Sequence, residues 1–354
     1  MKIVVCPDSF KGSLGAKEVA ETISESLLGI YPNAEIIQIP LADGGEGTAE
    51  IIKKHRFPNE IKLKTHDPLG RELYATIHTD LTGKKAFIES AKIIGLPLLK
   101  EEERNPFKAS TYGLGEVIQK AIDSGVEEIT VSLGGSATCD GGEGMLQSLG
   151  NWDKNLIHFN ILCDVANPLL GKFGAVNVFS PQKGAKPEDL PVLEKRMEDF
   201  VEKLKQKGLC SEEDTKREGA GAAGGLGFAF QAILKAKTYK GIDYILDLTE
   251  FDNQIKGASL IITGEGKIDT QSLMGKVVSG VLIRAMKEKI PVVAIAGKIE
   301  DRNKILEAGL KETFEIIDKG KSLEKNMQPA TTKKNIRRTI EIMSKSNIFQ
   351  QTIS

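Results

Sequence analysis

The fold class is decided by residues 1–48, which read MKIVVCPDSFKGSLGAKEVAETISESLLGIYPNAEIIQIPLADGGEGT. The apolar run at 2–6 predicts a buried strand. Apolar residues then recur at four-residue spacing over 19–27, which predicts a helix with Ser13 at its N-cap. A second strand is predicted at 34–40. A strand, a helix and a strand in this order form a βαβ unit, so we expect the chain to begin in a parallel sheet.

The middle of the chain follows a different pattern. Residues 61–66 and 73–80 alternate apolar and polar positions, and DPLGR lies between them. This alternation predicts an antiparallel hairpin with one face in water. From residue 258 the alternation of strands and helices returns. The polar stretch 319–332 predicts a loop, which would precede a basic amphipathic helix at the end of the chain.

This distribution of patterns predicts two domains. A chain of 354 residues exceeds what one compact core usually holds. Because units of parallel type lie at both ends, we predict an α/β protein with a discontinuous parallel-sheet domain, residues 1–58 plus 245–354. The inserted residues 59–244 would form an α/β domain with a mixed sheet. Ligands of α/β sheets bind beyond the carboxyl ends of the strands, so we expect a binding cleft between the domains.

Composition disfavours several classes of protein. Lys and Arg total 48 against 49 for Asp and Glu, so no broad positive charge favours nucleic acid or an anionic membrane as partner. No apolar run approaches the roughly 18 residues that span a bilayer, and the apolar run before Pro7 is too short for a signal peptide, so we expect a cytoplasmic protein. The cysteines form no CxxC pair and the histidines lie in separate segments, which disfavours disulfides, a zinc site and a Ser-His-Asp triad.

The loops that follow the predicted strands combine carboxylates with glycines. A single acidic residue in a loop usually serves a turn or a helix cap. Here many acidic residues lie beside glycines, and lysines lie nearby: Asp8, Asp43, Glu46, Asp140, Asp164, Glu265 and Asp269, with Lys11, Lys183, Lys267 and Lys276. Carboxylates suit Mg²⁺, and glycine lets backbone N–H groups approach an anion closely. Together with the lysines these residues favour phosphoryl transfer, which depends mostly on positioning and charge neutralisation.

No familiar phosphate-binding sequence occurs in its usual context. The sequence has no GxxxxGKS or GxxxxGKT loop and no HRD or DFG, which argues against P-loop proteins and protein kinases. A GxGxxG pattern occurs at Gly219, Gly221 and Gly224, but it follows the polar stretch SEEDTKRE instead of a strand. Two interpretations stay open: close helix packing, or phosphate binding at a helix N-terminus. The hypothesis that the protein is a nicotinamide oxidoreductase has only this GxGxxG pattern as support.

Long segments spread over nearly the whole chain resemble, in order, the signatures of the bacterial glycerate kinase family. They are PDSFKGSL at 7–14, PLADGGEGT at 40–48, RNPFKASTYGLGE at 104–116, GGSATCDGGEGM at 134–145, CDVANPLLGKFGAVNVFSPQKGA at 163–185, GAGAAGGLG at 219–227 and ITGEGKIDTQSLMGK at 262–276. The resemblance implies two α/β domains, one of them discontinuous and flavodoxin-like. It also implies ATP- and Mg²⁺-dependent phosphorylation of D-glycerate, giving 2-phosphoglycerate and ADP. The implied partners are these small molecules, and the charge balance already disfavours nucleic acid and a membrane; self-association into a homo-oligomer stays open.

Residues that match the family motifs receive the following roles as our hypotheses. Catalysis is assigned to Asp140, Asp164, Lys11 and Lys183. Glycerate binding is assigned to Asp8, Ser9, Ser136, Asn167, Gln182 and Gln271. ATP would meet Gly134, Gly135, Gly221, Gly224, Gly225 and Lys276. Mg²⁺ would bind Asp43, Glu46, Glu265 and Asp269, directly or through water. The choice between Asp140 and Asp164 as the base that accepts the hydroxyl proton is left open.

Two departures from the family pattern bear on function. Cys139 stands where the family usually has Asn, so the thiol is either a weakly polar filler or a cause of altered substrate affinity. Residues 151–160 replace a segment that is usually longer, through loss of a peripheral element or through a remodelled cleft. The alternative function is a sugar-acid-binding protein descended from a kinase and altered in substrate or activity. The motif carboxylates named above are all retained, which favours the enzyme.

Overall fold

The computed structural model describes residues 1–44, 47–153, 155–273 and 275–346. The chain divides into two compact units, one of Met1–Ile51 with Ile242–Ser354 and one of Ile52–Gly241. One unit carries a parallel sheet and the other a mixed sheet, so the predicted α/β class is confirmed. The sequence-based domain boundaries lie several residues further along the chain, at 58/59 and 244/245. That these segments are independent domains stays a prediction.

Strands and helices alternate along most of the described chain. The strands are β1 (Lys2–Pro7), β2 (Glu35–Gln38), β3 (Asn59–His66), β4 (Glu72–Thr79), β5 (Lys85–Glu89), β6 (Glu128–Ser132), β7 (His158–Leu162), β8 (Lys237–Tyr239), β9 (Leu260–Ile268), β10 (Val292–Ile299) and β11 (Glu312–Glu315). The helices are α1 (Ala16–Ile30), α2 (Thr48–His55), α3 (Ala91–Ile94), α4 (Tyr112–Asp123), α5 (Glu143–Ser148), α6 (Ala175–Phe179), α7 (Leu190–Gln206), α8 (Glu212–Lys216), α9 (Ala222–Phe228), α10 (Gly241–Leu248), α11 (Phe251–Gln254), α12 (Val277–Lys287), α13 (Arg302–Glu307), α14 (Leu323–Met327) and α15 (Pro329–Ser344). Within the described ranges, no helix combines the length and apolar character needed to cross a membrane.

The first unit is built on a parallel sheet with the strand order β2-β1-β9-β10-β11. Counted within the unit this order is 2-1-3-4-5, which is the flavodoxin-like order, so that expectation is confirmed. β1 and β9 pair in parallel from Ile3↔Leu260 to Pro7↔Gly264. Ile3 is fully buried, and it packs in one core with Ile23 of α1 and Ile336 of α15. Apolar strands covered by helices are typical of parallel sheets.

The second unit has a mixed sheet with the strand order β3-β4-β5-β6-β7-β8. β3, β4 and β5 pair antiparallel, which confirms the predicted hairpin. β5 to β8 run parallel, so their carboxyl ends lie on one edge of the sheet. The core on this sheet includes Ile88, Val131 and Ile161, and a smaller core lies where α6, α7 and α9 meet. The edge strand β8 was not predicted, because its residues are short of apolar side chains and exposed.

The predicted N-cap of the first helix is wrong. α1 begins at Ala16 and has Gly15 at its N-cap. The Ser13 hydroxyl instead shares a hydrogen bond with the Thr332 hydroxyl, with 2.6 Å between the oxygens. A serine that bonds to a distant segment and a serine that caps a helix have the same sequence context. The neighbouring residues alone therefore could not distinguish the two roles of Ser13.

The loop predicted at 319–332 is also wrong, because this stretch contains α14 and the start of α15. The Asn326 side chain explains the order of this polar segment. Its amide donates to the carbonyl oxygens of Asp318 (3.0 Å) and Lys321 (3.2 Å), and its carbonyl accepts from the Asp318 N–H (2.9 Å). A buried network of hydrogen bonds therefore orders this segment, as apolar packing orders other segments. Hydrophobic periodicity does not detect such a network.

The glycine-rich segment 219–227 packs closely against neighbouring backbone. Gly224 has φ of +70°, and a Cβ atom there would lie 2.0 Å from the carbonyl oxygen of Thr138. The Gly224 carbonyl accepts a hydrogen bond from the Gly141 N–H (3.0 Å). At Gly221, a Cβ atom would lie 2.2 Å from the carbonyl oxygen of Pro168. These contacts are what the packing interpretation of the glycines requires; their phosphate-binding role stays a prediction.

We expect Gly224→Ala to lower the free energy of unfolding by more than about 3 kcal/mol, since a left-handed φ and a backbone clash combine. Urea denaturation followed by circular dichroism measures this loss. Gly208→Ala is the matched control, because Gly208 has φ of +67° but open space around its Cα, so only a strain of about 1 kcal/mol is expected. Equal losses in the two variants would contradict the close packing of the segment.

Candidate active site

The loop after β1 and the carboxyl-terminal parts of β9 and β10 contribute to a cavity of about 320 Å³ in the first unit. This is the edge at which parallel α/β sheets bind ligands. The lining residues all belong to the first unit and are Asp8, Ser9, Phe10, Lys11, Ser13, Glu265, Gly266, Lys267, Lys276, Gly297, Lys298, Ile316, Ile317, Leu323, Asn326, Met327, Thr332 and Asn335. The structure thus brings several predicted site residues of this unit to one cavity.

Two buried carboxylates lie at this cavity. Asp8 is 4% exposed and Glu265 is 7% exposed. Burial raises the pKa of Asp8 to about 7, the nearby charge of Asp43 adds to the rise, and the Ser9 N–H that donates to Asp8 Oδ1 (2.6 Å) opposes it. Burial also raises the pKa of Glu265, and Asp43 again contributes. Asp43 thus lies close enough to both buried carboxylates to raise the pKa of each, and we call Asp8, Asp43 and Glu265 the acidic group.

The acidic group, Asp8, Asp43 and Glu265, has donor chemistry that fits a divalent cation. Glu265 Oε1 and the Ser9 hydroxyl oxygen are buried and have no hydrogen-bond partner among the described residues. An unsatisfied buried acceptor is costly, and a cation would satisfy it. Over the described ranges, no three His, Cys, Asp or Glu side chains are placed so that they could together hold a metal ion. A cation at this group would therefore need water or substrate oxygens for most of its ligands. Glu46, also predicted as a ligand, lies outside the described residues.

Asp269, the fourth predicted ligand, is engaged in an ion-pair network. Lys267 Nζ lies 3.1 Å from Asp269 Oδ2 and 2.9 Å from Glu300 Oε2. Lys298 Nζ lies 2.6 Å from Glu300 Oε1. Asp269 Oδ1 also accepts from the N–H of Gln271, whose side chain is exposed. These contacts orient the loop after β9 and offset the charges of Lys267 and Lys298.

Lys11 and Lys276 are the cavity lysines whose charge is left for a ligand. Within the described part of the chain, neither forms an ion pair, although both line the cavity. Each acts on a buried carboxylate electrostatically: Lys11 lowers the pKa of Asp8, and Lys276 lowers that of Glu265, both against the larger effect of burial. Phosphate oxygens are the anions that such lysines recognise.

The second unit buries a cation. Lys183 is 2% exposed, and its Nζ donates to the Ser136 hydroxyl oxygen (3.0 Å) and to the Thr138 carbonyl oxygen (2.7 Å). Burial lowers the pKa of Lys183 to about 8, and the nearby Cys139 and Asp140 oppose that effect. A lysine ammonium has three N–H donors, and these two acceptors are both neutral. The ammonium therefore retains the capacity to bind an anion.

Asp140 is held by hydrogen bonds on both oxygens. Its Oδ2 accepts from the N–H and the hydroxyl of Thr111, both at 2.8 Å. It also accepts from the Gly144 N–H (3.2 Å) and the Ser110 hydroxyl (3.5 Å). Its Oδ1 accepts from the Gly142 N–H (3.1 Å). This carboxylate ties the start of α5 to the residues that precede α4, which is a structural task.

Asp164 has a different environment. It follows β7 at the carboxyl edge of the sheet, its side chain is exposed, and its Oδ1 accepts from the Gly241 N–H (2.7 Å). The Asn167 amide donates to the Phe173 carbonyl oxygen (2.8 Å), which orders the same loop. Gln182 is exposed, on the turn that contains Lys183. These polar side chains border the carboxyl edge of the second sheet.

The predicted glycines separate into two groups. Gly134 and Gly135 are exposed in the loop after β6, where an anion could approach the backbone. Gly221, Gly224 and Gly225 are buried, and each lies against other chain segments. The structure thus supports access to the first pair and packing for the other three.

The two departures from the family pattern lie in ordinary surroundings. Cys139 is buried with its Sγ 3.0 Å from the Ser180 hydroxyl oxygen, in the small core formed by α6, α7 and α9. Trp152 in the shortened segment packs edge-on against Phe159 of β7, with 6.3 Å between ring centroids. The segment precedes the amino end of β7, opposite the edge that carries Ser136 and Asp164. This position supports the loss of a peripheral element.

Arg104 is a candidate that the residue-by-residue prediction missed. Its Nε is buried and has no hydrogen-bond partner among the described residues. A Cβ atom on Gly184 would lie 2.4 Å from the Arg104 carbonyl oxygen, so Arg104 borders the turn that carries Lys183. The sequence did contain an indication, because Arg104 is the first residue of RNPFKASTYGLGE, one of the segments that resemble the family motifs. The apolar cavity residues Ile316 and Met327 had no such signal.

Comparisons with known proteins identify relatives of this chain. The family model of the glycerate kinase family matches residues 3–155 and 151–346. A glycerate kinase from Bacillus cereus is 38% identical over 98% of this chain and 100% of its own length. A glycerate 2-kinase from Escherichia coli (strain K12) is 37% identical over 90% of this chain and 91% of its own length. A crystal structure from Salmonella typhimurium LT2 that bears the name glycerate kinase 2 is 34% identical with a TM-score of 0.82, and 97% of both chains is covered. The chain belongs to the glycerate kinase family.

Proposed function

We propose that this chain transfers the γ-phosphoryl group of ATP to the C2 hydroxyl of D-glycerate, giving 2-phosphoglycerate and ADP. Membership of the family supports the kinase and its acceptor, and the name of the Escherichia coli relative supports position C2. The acidic group formed by Asp8, Asp43 and Glu265 beside Lys11 and Lys276 is the observation that carries the proposal. It combines the cation-binding and phosphate-binding chemistry that phosphoryl transfer requires.

In this proposal Mg²⁺ would lie beside Asp8, Asp43 and Glu265, with water or phosphate oxygens as its other ligands, because these carboxylates do not by themselves form a metal site. Asp8 thereby moves from the glycerate-binding set, to which its motif assigned it, to the metal. When bound, Mg²⁺ would neutralise charge on the phosphate oxygens. The protein orients these carboxylates and partly offsets the effect of burial on them: the Ser9 N–H donates to Asp8, and Lys276 opposes the rise in the pKa of Glu265. Asp269 would contribute less to Mg²⁺ binding, because its carboxylate is already paired with Lys267.

Lys183 is assigned to the anionic acceptor, with Ser136 and Arg104 beside it. A buried ammonium attracts a carboxylate more strongly than an exposed one, since water does not screen the pair. Ser136 orients the ammonium through the 3.0 Å hydrogen bond, and the Thr138 carbonyl fixes its position from the backbone. Arg104 offers a guanidinium, which suits a planar carboxylate.

Asp164 is assigned as the base in preference to Asp140. The carboxylate of Asp140 holds the surrounding backbone through both oxygens, whereas that of Asp164 is exposed at the edge of the sheet. In the reaction, a bond forms between the C2 oxygen and the γ-phosphorus as the bond to the bridging oxygen of ADP breaks. The proton of the C2 hydroxyl passes to the Asp164 carboxylate.

A product assay tests the proposed function directly. With D-glycerate, ATP and Mg²⁺, we expect one ADP released for each glycerate consumed, and a phosphorus NMR spectrum of 2-phosphoglycerate. Glycerate without ATP is the control. Formation of 3-phosphoglycerate would contradict the assignment of C2. Glycerate binding without release of ADP would instead support the sugar-acid-binding protein.

The two candidate bases can be separated by matched variants. Asp164→Asn should keep the melting temperature and lower kcat by about 100-fold or more, because the proton acceptor is lost. Asp140→Asn should lower the melting temperature, because the amide nitrogen cannot accept the hydrogen bonds that the carboxylate oxygens take. Thermal unfolding and steady-state kinetics on both variants measure these effects. A stable Asp140→Asn variant without activity, beside a fully active Asp164→Asn variant, would reverse the assignment.

The acidic group makes the effect of Mg²⁺ depend on pH. Asp8 ionises near 3.8 when unfolded and near 7 when folded, so its contribution to stability falls as pH rises through this range and its repulsion is fully present at pH 8. Mg²⁺ without nucleotide should therefore raise the melting temperature by about 2–4 °C at pH 8 and by less at pH 5, where a proton competes.

Calorimetric or fluorescence melting with and without Mg²⁺ measures this rise. Glu265→Gln should abolish the rise at pH 8, whereas Glu307→Gln, at an exposed position on α13, should retain it. An equal rise at both pH values, or a full rise in Glu265→Gln, would remove Mg²⁺ from this group.

A further inference from the structure

The cavity of the first unit has more apolar wall than metal or phosphate binding needs. Phe10, Ile316, Ile317, Leu323 and Met327 line it. Leu323 is 65% exposed and Met327 is 36% exposed, which is unusual for large apolar side chains that face a cavity. Exposed apolar surface of this kind marks a binding site when polar groups accompany it.

The same cavity is also lined by Lys11, Lys276, Asp8 and Glu265, described above as phosphate- and cation-binding groups. One ligand that matches both parts of the lining has a flat apolar portion joined to an anionic chain. D-glycerate does not match, because it carries a carboxylate and two hydroxyl groups on three carbons and has almost no apolar surface to bury. A nucleoside triphosphate matches both parts.

We propose that this cavity binds the nucleoside portion of ATP, with the base against the wall formed by Ile316, Leu323 and Met327 and the phosphates directed to Lys11 and Lys276. The inference rests on the proposed function and assigns its donor to the first unit. A volume of about 320 Å³ lies at the lower end of the range for small-molecule sites, about 300–1,000 Å³, which suits one nucleoside.

The apolar wall is held in place before any ligand binds. Asn326 fixes the turn before α14 through its bonds to Asp318 and Lys321, and its Oδ1 accepts from the Asn335 amide (3.0 Å). The Thr332 hydroxyl lies 2.6 Å from that of Ser13, which joins α15 to the loop after β1. A wall that is already ordered spares the entropy of ordering it on binding. In this proposal the hydrogen bonds within 319–332 hold the apolar wall in position for the base, which the sequence alone did not indicate.

The glycine-rich segment 219–227 is a weaker candidate for the nucleotide. Gly221, Gly224 and Gly225 are buried against neighbouring chain segments, and the Gly224 carbonyl is occupied by the Gly141 N–H. A phosphate group needs exposed N–H donors, and glycines enclosed in this way serve the packing of the fold instead.

Direct titration of ADP by isothermal calorimetry tests the site without turnover. Leu323→Glu and Met327→Glu place a carboxylate in the apolar wall, and both positions are exposed enough for the variants to fold. Each should raise the Kd for ADP by about tenfold or more, since a charge must be desolvated beside the base. The KM for glycerate should stay within about twofold of the wild-type value. Met286→Glu is the matched control, because Met286 is 58% exposed in the same unit but does not line the cavity, and its Kd should not change.

Photolabelling with 8-azido-ADP gives an independent readout. We expect the label in peptides that contain 316–335. A label in 134–144 or 219–227 would overturn the inference, as would an unchanged Kd for ADP in both wall variants, or a rise in the KM for glycerate alone. A wild-type chain that binds no ADP would overturn the proposed function as well, so the wild-type titration separates the two failures.

Discussion

The parallel pairing of β1 with β9 is the constraint on which the candidate site of the first unit depends. The register places Pro7 opposite Gly264, and the Asp8 N–H donates to the Gly264 carbonyl oxygen (2.8 Å). The next residues of the two strands, Asp8 and Glu265, are both acidic and both buried. The hydrogen bonds of this register hold the two acidic residues at neighbouring positions, so they cannot separate without breaking the pairing of the strands. The backbone therefore imposes a repulsion that a proton or a cation relieves.

The second unit buries a positive charge, and its position again follows from the pairing of parallel strands. Its parallel strands bring the loops after β6 and β7 to one edge, and the turn at 181–183 places the Lys183 ammonium under Ser136 and Thr138. Asp140 and the glycine-rich segment hold the loop after β6 in place, because Asp140 accepts from the Gly142 N–H and the Gly224 carbonyl accepts from the Gly141 N–H. One unit thus buries negative charge and the other buries positive charge.

The fold could be predicted wherever one side of an element is apolar. β1, the β3–β4 hairpin and α7 follow their hydrophobic periodicity because burial of a regular face produces that periodicity. The failures have a different cause. Ser13 is used in a contact with Thr332, far along the chain, and α14 is ordered by the Asn326 amide instead of by an apolar stripe. β8 is a short exposed edge strand, whose order comes from its pairing with β7. Each depends on a partner that local pattern does not contain.

The sequence by itself determined the α/β class, the return of the parallel pattern at both ends, and the resemblance that identifies the family. These are properties of periodicity and of contiguous motifs, which a linear text contains. Only the tertiary structure decided which acidic residues share a charge, since Asp8 and Glu265 meet through strand register. It also decided that Lys183 is buried, that Asp140 holds backbone while Asp164 is exposed, and that Ile316, Leu323 and Met327 line one cavity. The physical reason is that burial, pKa and cavity shape depend on distances between residues far apart in the chain, and no local spacing specifies those distances.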